Sequence, residues 1–207
     1  MKMLRSISRA GVLCVGILLG SCGGKNSNDI DSCGDIRQEY IVDNYTASLV
    51  RYDEPIDDLS IAKIPKLIAN NENVAWNMFA IDLNANFQTY TVKHQPAVRF
   101  NLFAQALACS PYIHAKQALS KISITSANTF NDSYPAGSEL ASLFATLDYP
   151  SVNVSALADL GKPAPRWLKL KLLEAPQYSQ QNFEVEISLN DGNVFILKTG
   201  DVYFTVP

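Results

Sequence analysis

The chain has 207 residues, with 17 Lys and Arg against 20 Asp and Glu, for a formal charge of −3. A mildly acidic surface lacks the electrostatic footprint of a nucleic-acid binder. With 47% apolar residues, the chain is too hydrophobic for an extended disordered stalk, and its length suits one domain that buries a real core.

Lys2, Arg5 and Arg9 precede an apolar run from Ala10 to Gly20. A membrane-spanning helix needs about 20 apolar residues, so this shorter run reads as a cleaved signal. It ends in Leu19-Gly20-Ser21-Cys22, which has the form of a bacterial lipobox. The expectation is diacylglycerol on the Cys22 thiol and cleavage before it. Residues 1–21 are then a lipoprotein signal peptide, 22–32 a flexible Gly/Asn/Ser-rich tether and 33–207 the folded domain. Two acyl chains anchor a protein stably where one does so only marginally. Gly23, in place of an Asp after the lipidated cysteine, favours the outer membrane, with the leaflet left open. Cleavage removes three bases and no acid, taking the charge from −3 to −6. Outside the cytosol, Cys33 and Cys109 are expected to pair. The long loop they close gives a chain-entropy stabilisation of about 4 kcal/mol before any strain. The alternative is one buried thiol and one free thiol in the linker.

From Cys33 onward the apolar residues repeat mostly with period two, the mark of half-buried strands. Tyr40 to Tyr52 reads as a strand. Val74 to Val92 changes phase: Val74, Trp76 and Met78 share one parity, Phe79 to Phe87 take the other, and Tyr90 and Val92 switch back. One flat strand cannot bury both sets on one face, so bulges near 78–79 and 88–90, or a crossing between two sheets, are expected. Phe100 to Ala108 is read as a short helix and Lys121 to Ser126 as a strand. Ser138 is read as the cap of a second short helix running to Leu147.

Trp167 to Leu173 alternates with Leu168, Leu170 and Leu172 inward and Trp167, Lys169 and Lys171 outward. Asn182 to Leu189 and Val194 to Lys198 form a hairpin about Asn190-Asp191-Gly192-Asn193, whose residues tolerate positive φ. Val202 to Val206 reads as its bulged continuation or a last strand. Pairing of 167–173 with 182–189 would set Lys169 and Lys171 opposite Glu184 and Glu186. Six to eight strands with one or two short helices predict an all-β, immunoglobulin-like sandwich.

Several segments carry a resemblance: Ala106-Leu107-Ala108-Cys109-Ser110-Pro111, Ile122-Ser123-Ile124-Thr125-Ser126, and Tyr134-Pro135-Ala136-Gly137-Ser138-Glu139-Leu140 with Leu143-Phe144 behind it. Together with the Asp191-Gly192 hairpin and the lipobox, this pattern resembles the small uncharacterised cell-envelope lipoproteins of Bacteroidota, a domain family of unknown function. The resemblance implies envelope residence and a sandwich-like domain, and brings no activity or functional residue with it.

The search for chemistry returns no catalytic motif and no cofactor signature. His94 and His114 have neither metal-ligand spacing nor a Gly-framed serine elbow nearby. Asp53, Glu54, Asp57 and Asp58 crowd around Pro55, and clustered carboxylates can offer oxygens to Ca²⁺. Their spacing matches no EF-hand loop, and a solvated connection is the plain alternative. Glu184 and Glu186 fit a charged sheet face better than a glycosidase pair, whose carboxylates flank a cleft.

Trp167, with Tyr149 and Tyr178 in nearby loops, can form a stacking platform for a glycan or a partner protein, unless the loop 162–166 covers it. The expectation is a membrane-tethered binding or structural module without enzymatic activity. A calcium or small-ligand site on loop 53–58 is the alternative, and a hydrolase whose site assembles only in space comes third.

Overall fold

The computed structural model describes residues 36–57, 63–69, 71–93, 113–147 and 151–205. Cys22, Cys33, Cys109, His94, Asp58, Tyr149, the signal and tether segments and the expected helix at 100–108 lie outside them. The described residues form ten strands: β1 (Ile36–Arg51), β2 (Lys66–Leu67), β3 (Asn73–Val74), β4 (Phe79–Lys93), β5 (Ile113–Ala115), β6 (Leu119–Ser126), β7 (Phe144–Thr146), β8 (Trp167–Leu172), β9 (Gln180–Leu189) and β10 (Val194–Phe204). The strands beyond the expected six to eight are two or three residues long, too short to show alternation.

Two sheets pack face to face in a predominantly β, sandwich-like arrangement. One runs β2-β1-β4-β8-β7, with β5 added parallel to β1. The other runs β3-β10-β9-β6. The first is built on one long antiparallel pair: β1 and β4 run side by side from Ile36–Lys93 to Arg51–Phe79. The second is built on the expected β9–β10 hairpin. Gly192 has φ +90° in its turn, where Leu189 and Asn193 close the ladder. β10 carries the expected irregularity between Lys198 and Asp201 and continues as one strand.

Between the sheets, each strand contributes one face. Phe183, Val185, Ile187 and Leu189 of β9 are buried, as are Leu168, Leu170 and Leu172 of β8. Four phenylalanines join the layers at one end of the sandwich. Phe79 of β4 meets Phe204 of β10 edge-on at 5.0 Å and Phe183 of β9 at 5.8 Å, and Phe144 of β7 meets Phe183 edge-on at 5.5 Å. Edge-to-face pairs at such distances add to the stabilisation that burial gives.

Three expectations are corrected. First, β8 does not pair with β9. It lies between β4 and β7 in the first sheet, so Lys169 stands opposite Asp82 rather than a β9 glutamate. The two strands lie in different sheets and both turn an apolar face into the common core, and the connection 173–179 carries the chain from one sheet to the other. Glu184 and Glu186 find Lys198 and Lys121 instead, at 3.2 and 2.9 Å.

Second, 138–147 is not a helix. Ala141–Leu143 makes a single 3₁₀ turn and Phe144–Thr146 continues as β7, wholly buried and paired with β8. The Glu139 carboxylate accepts from the N–H groups of Ile124 and Ala141, and Leu140 N–H donates to Ile124. These bonds fix the segment in extended form on β6, and β7 then covers an edge of β8 that a helix would leave open.

Third, no bulge interrupts β4. The first phase change marks the expected crossing: β3 belongs to the second sheet and β4 to the first, with the 3₁₀ turn Trp76–Met78 between them. The second change reflects Tyr90 and Val92 on the opposite face of an unbroken strand. The bulge lies on the partner, β1, where Asp43 has no counterpart between Val42–Phe87 and Asn44–Asn86. Ahead of it the even-numbered Tyr40 and Val42 are buried, and after it the odd-numbered Tyr45 is.

Candidate functional site

The Asp43 bulge sets what the outer face of the first sheet displays. Beyond it, Asn44 lies beside Asn86, Thr46 beside Asn84 and Ser48 beside Asp82. Asn84 in turn neighbours Trp167 on β8, and Asp82 neighbours Lys169. Neighbouring strands lie about 4.8 Å apart, so Thr46, Asn84 and Trp167 form one row across three strands, with the two asparagines of the adjacent row beside it. Asn44, Thr46, Asn84 and Asn86 are all exposed. Farther along the same face an apolar cluster of Val50, Tyr52, Ala80 and Leu147, with Ile56 against it, closes the surface. Main-chain bonds from Tyr52 to Met78 and from Ile56 to Asn77 hold the covering segment down. Burial and the neighbouring Asp82 charge push the Tyr52 phenol above its ordinary pKa.

Trp167 opens β8 and is 60% exposed, so the 162–166 loop does not cover it. That loop is instead clamped from below. The Tyr40 hydroxyl donates to Ala164 O at 2.6 Å and the Tyr45 hydroxyl to Pro165 O at 2.9 Å. Ala85 N–H donates to Arg166 O, and Ala164 N–H donates to Gln117 O. Burial, with a smaller contribution from Tyr40, holds the Tyr45 phenol well above its usual range, so it remains a donor at every physiological pH. Gln117, itself buried, accepts from Val42 N–H beside the bulge and donates to Asp191 in the β9–β10 turn. That hydrogen bond, ahead of others in the turn, holds the Asp191 carboxyl below the usual carboxylate range.

The clamped loop delivers Arg166 onto aromatic rings. Its guanidinium carbon lies 4.3 Å from the centre of Phe87, 5.5 Å from Trp167 and 5.8 Å from Tyr40. Its Nε is buried with no hydrogen-bond partner. Neither Arg166, which enters the sequence reading only as the end of the 162–166 loop, nor Asn44, Thr46, Asn84 and Asn86 was singled out there as a binding residue. The alternation Asn84-Ala85-Asn86-Phe87 carried a usable signal, with amides on one parity and apolar residues on the other.

The other candidate residues are not gathered here. Tyr178 is 47% exposed but lies past the far end of β8, and that six-residue strand alone spans roughly 20 Å. It does not share a platform with Trp167. In the acidic loop, Asp53 accepts from Lys66 Nζ at 2.8 and 2.9 Å and from Arg51 at 3.2 Å, while Lys63 meets Glu54 at 2.9 Å. The Lys66 hydrogen bond, aided by both cations, holds the Asp53 carboxyl low. Asp53 and Glu54 thus meet cations rather than share a cage of oxygens. Among the described residues no three Asp, Glu, His or Cys side chains converge as a metal site. His114 is exposed on β5, away from this row. Glu184 and Glu186 belong to a charged ladder on the outer face of the other sheet, where solvent screens such exposed pairs and they add little to stability. Comparison with protein-family models, with curated proteins and with solved structures finds no match to this chain.

Proposed function

We propose that this protein is a lipid-anchored, outer-membrane-tethered cell-envelope module of immunoglobulin-like type that binds a glycan on the outer face of its six-stranded sheet. Its role is binding and not turnover. The observation that carries the reading is the exposed Trp167 ring in line with Asn84 and Thr46, with Asn44 and Asn86 alongside. A sugar presents C–H faces that lie against an aromatic ring and hydroxyls that both donate and accept. Side-chain amides match those hydroxyls because each also carries donors and an acceptor. A partner protein is the weaker fit, since the core of a protein interface is aromatic and apolar whereas polar groups flank Trp167 here.

Trp167→Ala is expected to reduce retention of the protein on envelope polysaccharide by at least about tenfold. An exposed side chain away from the core changes stability by about 0.5 kcal/mol or less, so its melting temperature should stay near that of the parent. Undiminished retention by the folded variant would remove the platform reading.

The envelope address rests on Leu19-Gly20-Ser21-Cys22 and on the resemblance to Bacteroidota envelope lipoproteins. Cys22→Ser is expected to abolish incorporation of labelled fatty acid and to leave the uncleaved precursor, both read on a gel. Unchanged labelling would place the lipid elsewhere.

A further inference from the structure

We propose that the glycan is acidic, and that Arg166 reads a carboxylate or sulfate on the sugar stacked against Trp167. This rests on the platform reading above and adds a charge requirement to it. Lys63 meets Glu54, Lys66 meets Asp53, Lys121 meets Glu186 and Lys198 meets Glu184. Lys116, Lys162, Lys169 and Lys171, like Arg166, have no carboxylate within ion-pair distance among the described residues. Arg166 differs from them in its burial against three aromatic rings, those of Phe87, Tyr40 and Trp167. It is half-buried, and burial has already stripped water from its Nε. A guanidinium in that condition gains more from an incoming anion than a fully hydrated lysine does, and its planar fork fits a carboxylate or sulfate through two parallel hydrogen bonds.

The group is also held in place before any ligand arrives. Two buried tyrosine hydroxyls and two main-chain bonds fix the backbone from Ala164 to Arg166, and the guanidinium carbon sits 4.3 Å from the centre of the Phe87 ring. Little ordering remains to oppose binding, which is the condition under which one charged contact yields its full selectivity. The guanidinium carbon lies 5.5 Å from the indole centre, so the charge and the exposed ring are immediate neighbours.

The test uses the full chain in detergent and two pairs of polymers that differ in charge: polygalacturonate with its carboxyl-reduced form, and dextran sulfate with dextran. Affinity electrophoresis or calorimetry reads the binding, and the pair that discriminates tells carboxylate from sulfate. The acidic member of one pair is expected to bind at least about tenfold more tightly than its neutral counterpart. Arg166→Gln should abolish that preference with the melting temperature retained, and Arg166→Lys should restore part of it, since lysine keeps the charge but lacks the fork. Equal binding of acidic and neutral polymers, lost in Trp167→Ala, would overturn the charge requirement while sustaining the platform. A preference that survives in Arg166→Gln would move the selectivity to other cations such as Lys169 and overturn the assignment. No binding to any of the four, with Trp167→Ala indistinguishable from the parent on envelope polysaccharide, would overturn both readings.

Discussion

Phe183→Ala is expected to destabilise the domain by about 3–5 kcal/mol, a large share of the 5–15 kcal/mol that holds a domain of this kind folded. Phe183 is 0% exposed on β9, and its ring touches Phe79 of β4 and Phe144 of β7 across the gap between the sheets. Truncation removes the transfer energy of the ring and also leaves a cavity walled by the Phe79 and Phe144 rings, whose strands are held in ladders. The ladders fix those walls, so collapse is limited and the cavity cost persists. Urea denaturation should show a lower midpoint with an unchanged slope. A loss below about 1.5 kcal/mol would mean that the two sheets close over the gap.

Gln181→Leu is expected to cost about 2–3 kcal/mol, although it replaces a polar core residue by an apolar one of similar size. Gln181 is fully buried. Its Oε1 accepts from the Ser126 hydroxyl at 2.8 Å, and its Nε2 donates to Thr129 O and Tyr178 O, each at 3.0 Å. Leucine fills the space and leaves a hydroxyl and two carbonyls without that partner. The desolvation penalty of those groups then outweighs the gain from burying an apolar side chain. Gln181→Glu should be destabilising too, because a carboxylate in that position has no N–H for the two carbonyls. Thermal melts of both variants check this. A Gln181→Leu protein as stable as its parent would show that the neighbouring groups find other partners.

The strands were legible where the alternation is long. Phe183 to Leu189 and Leu168 to Leu172 declare a buried face, because period-two burial is a local property that each residue's side chain reports. Their neighbours were not legible for the same reason. Alternation says which face is apolar and nothing about which strand supplies the next ladder, so a β8–β9 pairing could be entertained although the two strands belong to different sheets. The spacing of Leu140, Leu143, Phe144 and Leu147 satisfies a helix, and only the bonds of Glu139 to Ile124 and Ala141 decide against one. Trp167 was readable as outward from its parity on β8. Arg166 was not, because the rings of Phe87 and Tyr40 reach it only through folding. Asn84 and Asn86 carried the right parity, but asparagine is common in turns, and alternation alone does not mark an exposed amide as a ligand contact.

The Asp43 bulge bears on how such a face can change over time. Substitution at Asn44, Thr46, Asn84 or Asn86 alters one hydroxyl or amide and leaves its neighbours in place, so the ligand preference of the row can drift one side chain at a time. A change in the number of residues between Asp43 and Leu49 has no such mild form. It would send Tyr45 and Leu49 into water and Asn44 and Thr46 into the core in a single step. The face is therefore free in its spelling and fixed in its count. Among proteins that share this surface, the length of β1 past the bulge should vary least, even where the residues that meet the ligand have all been exchanged.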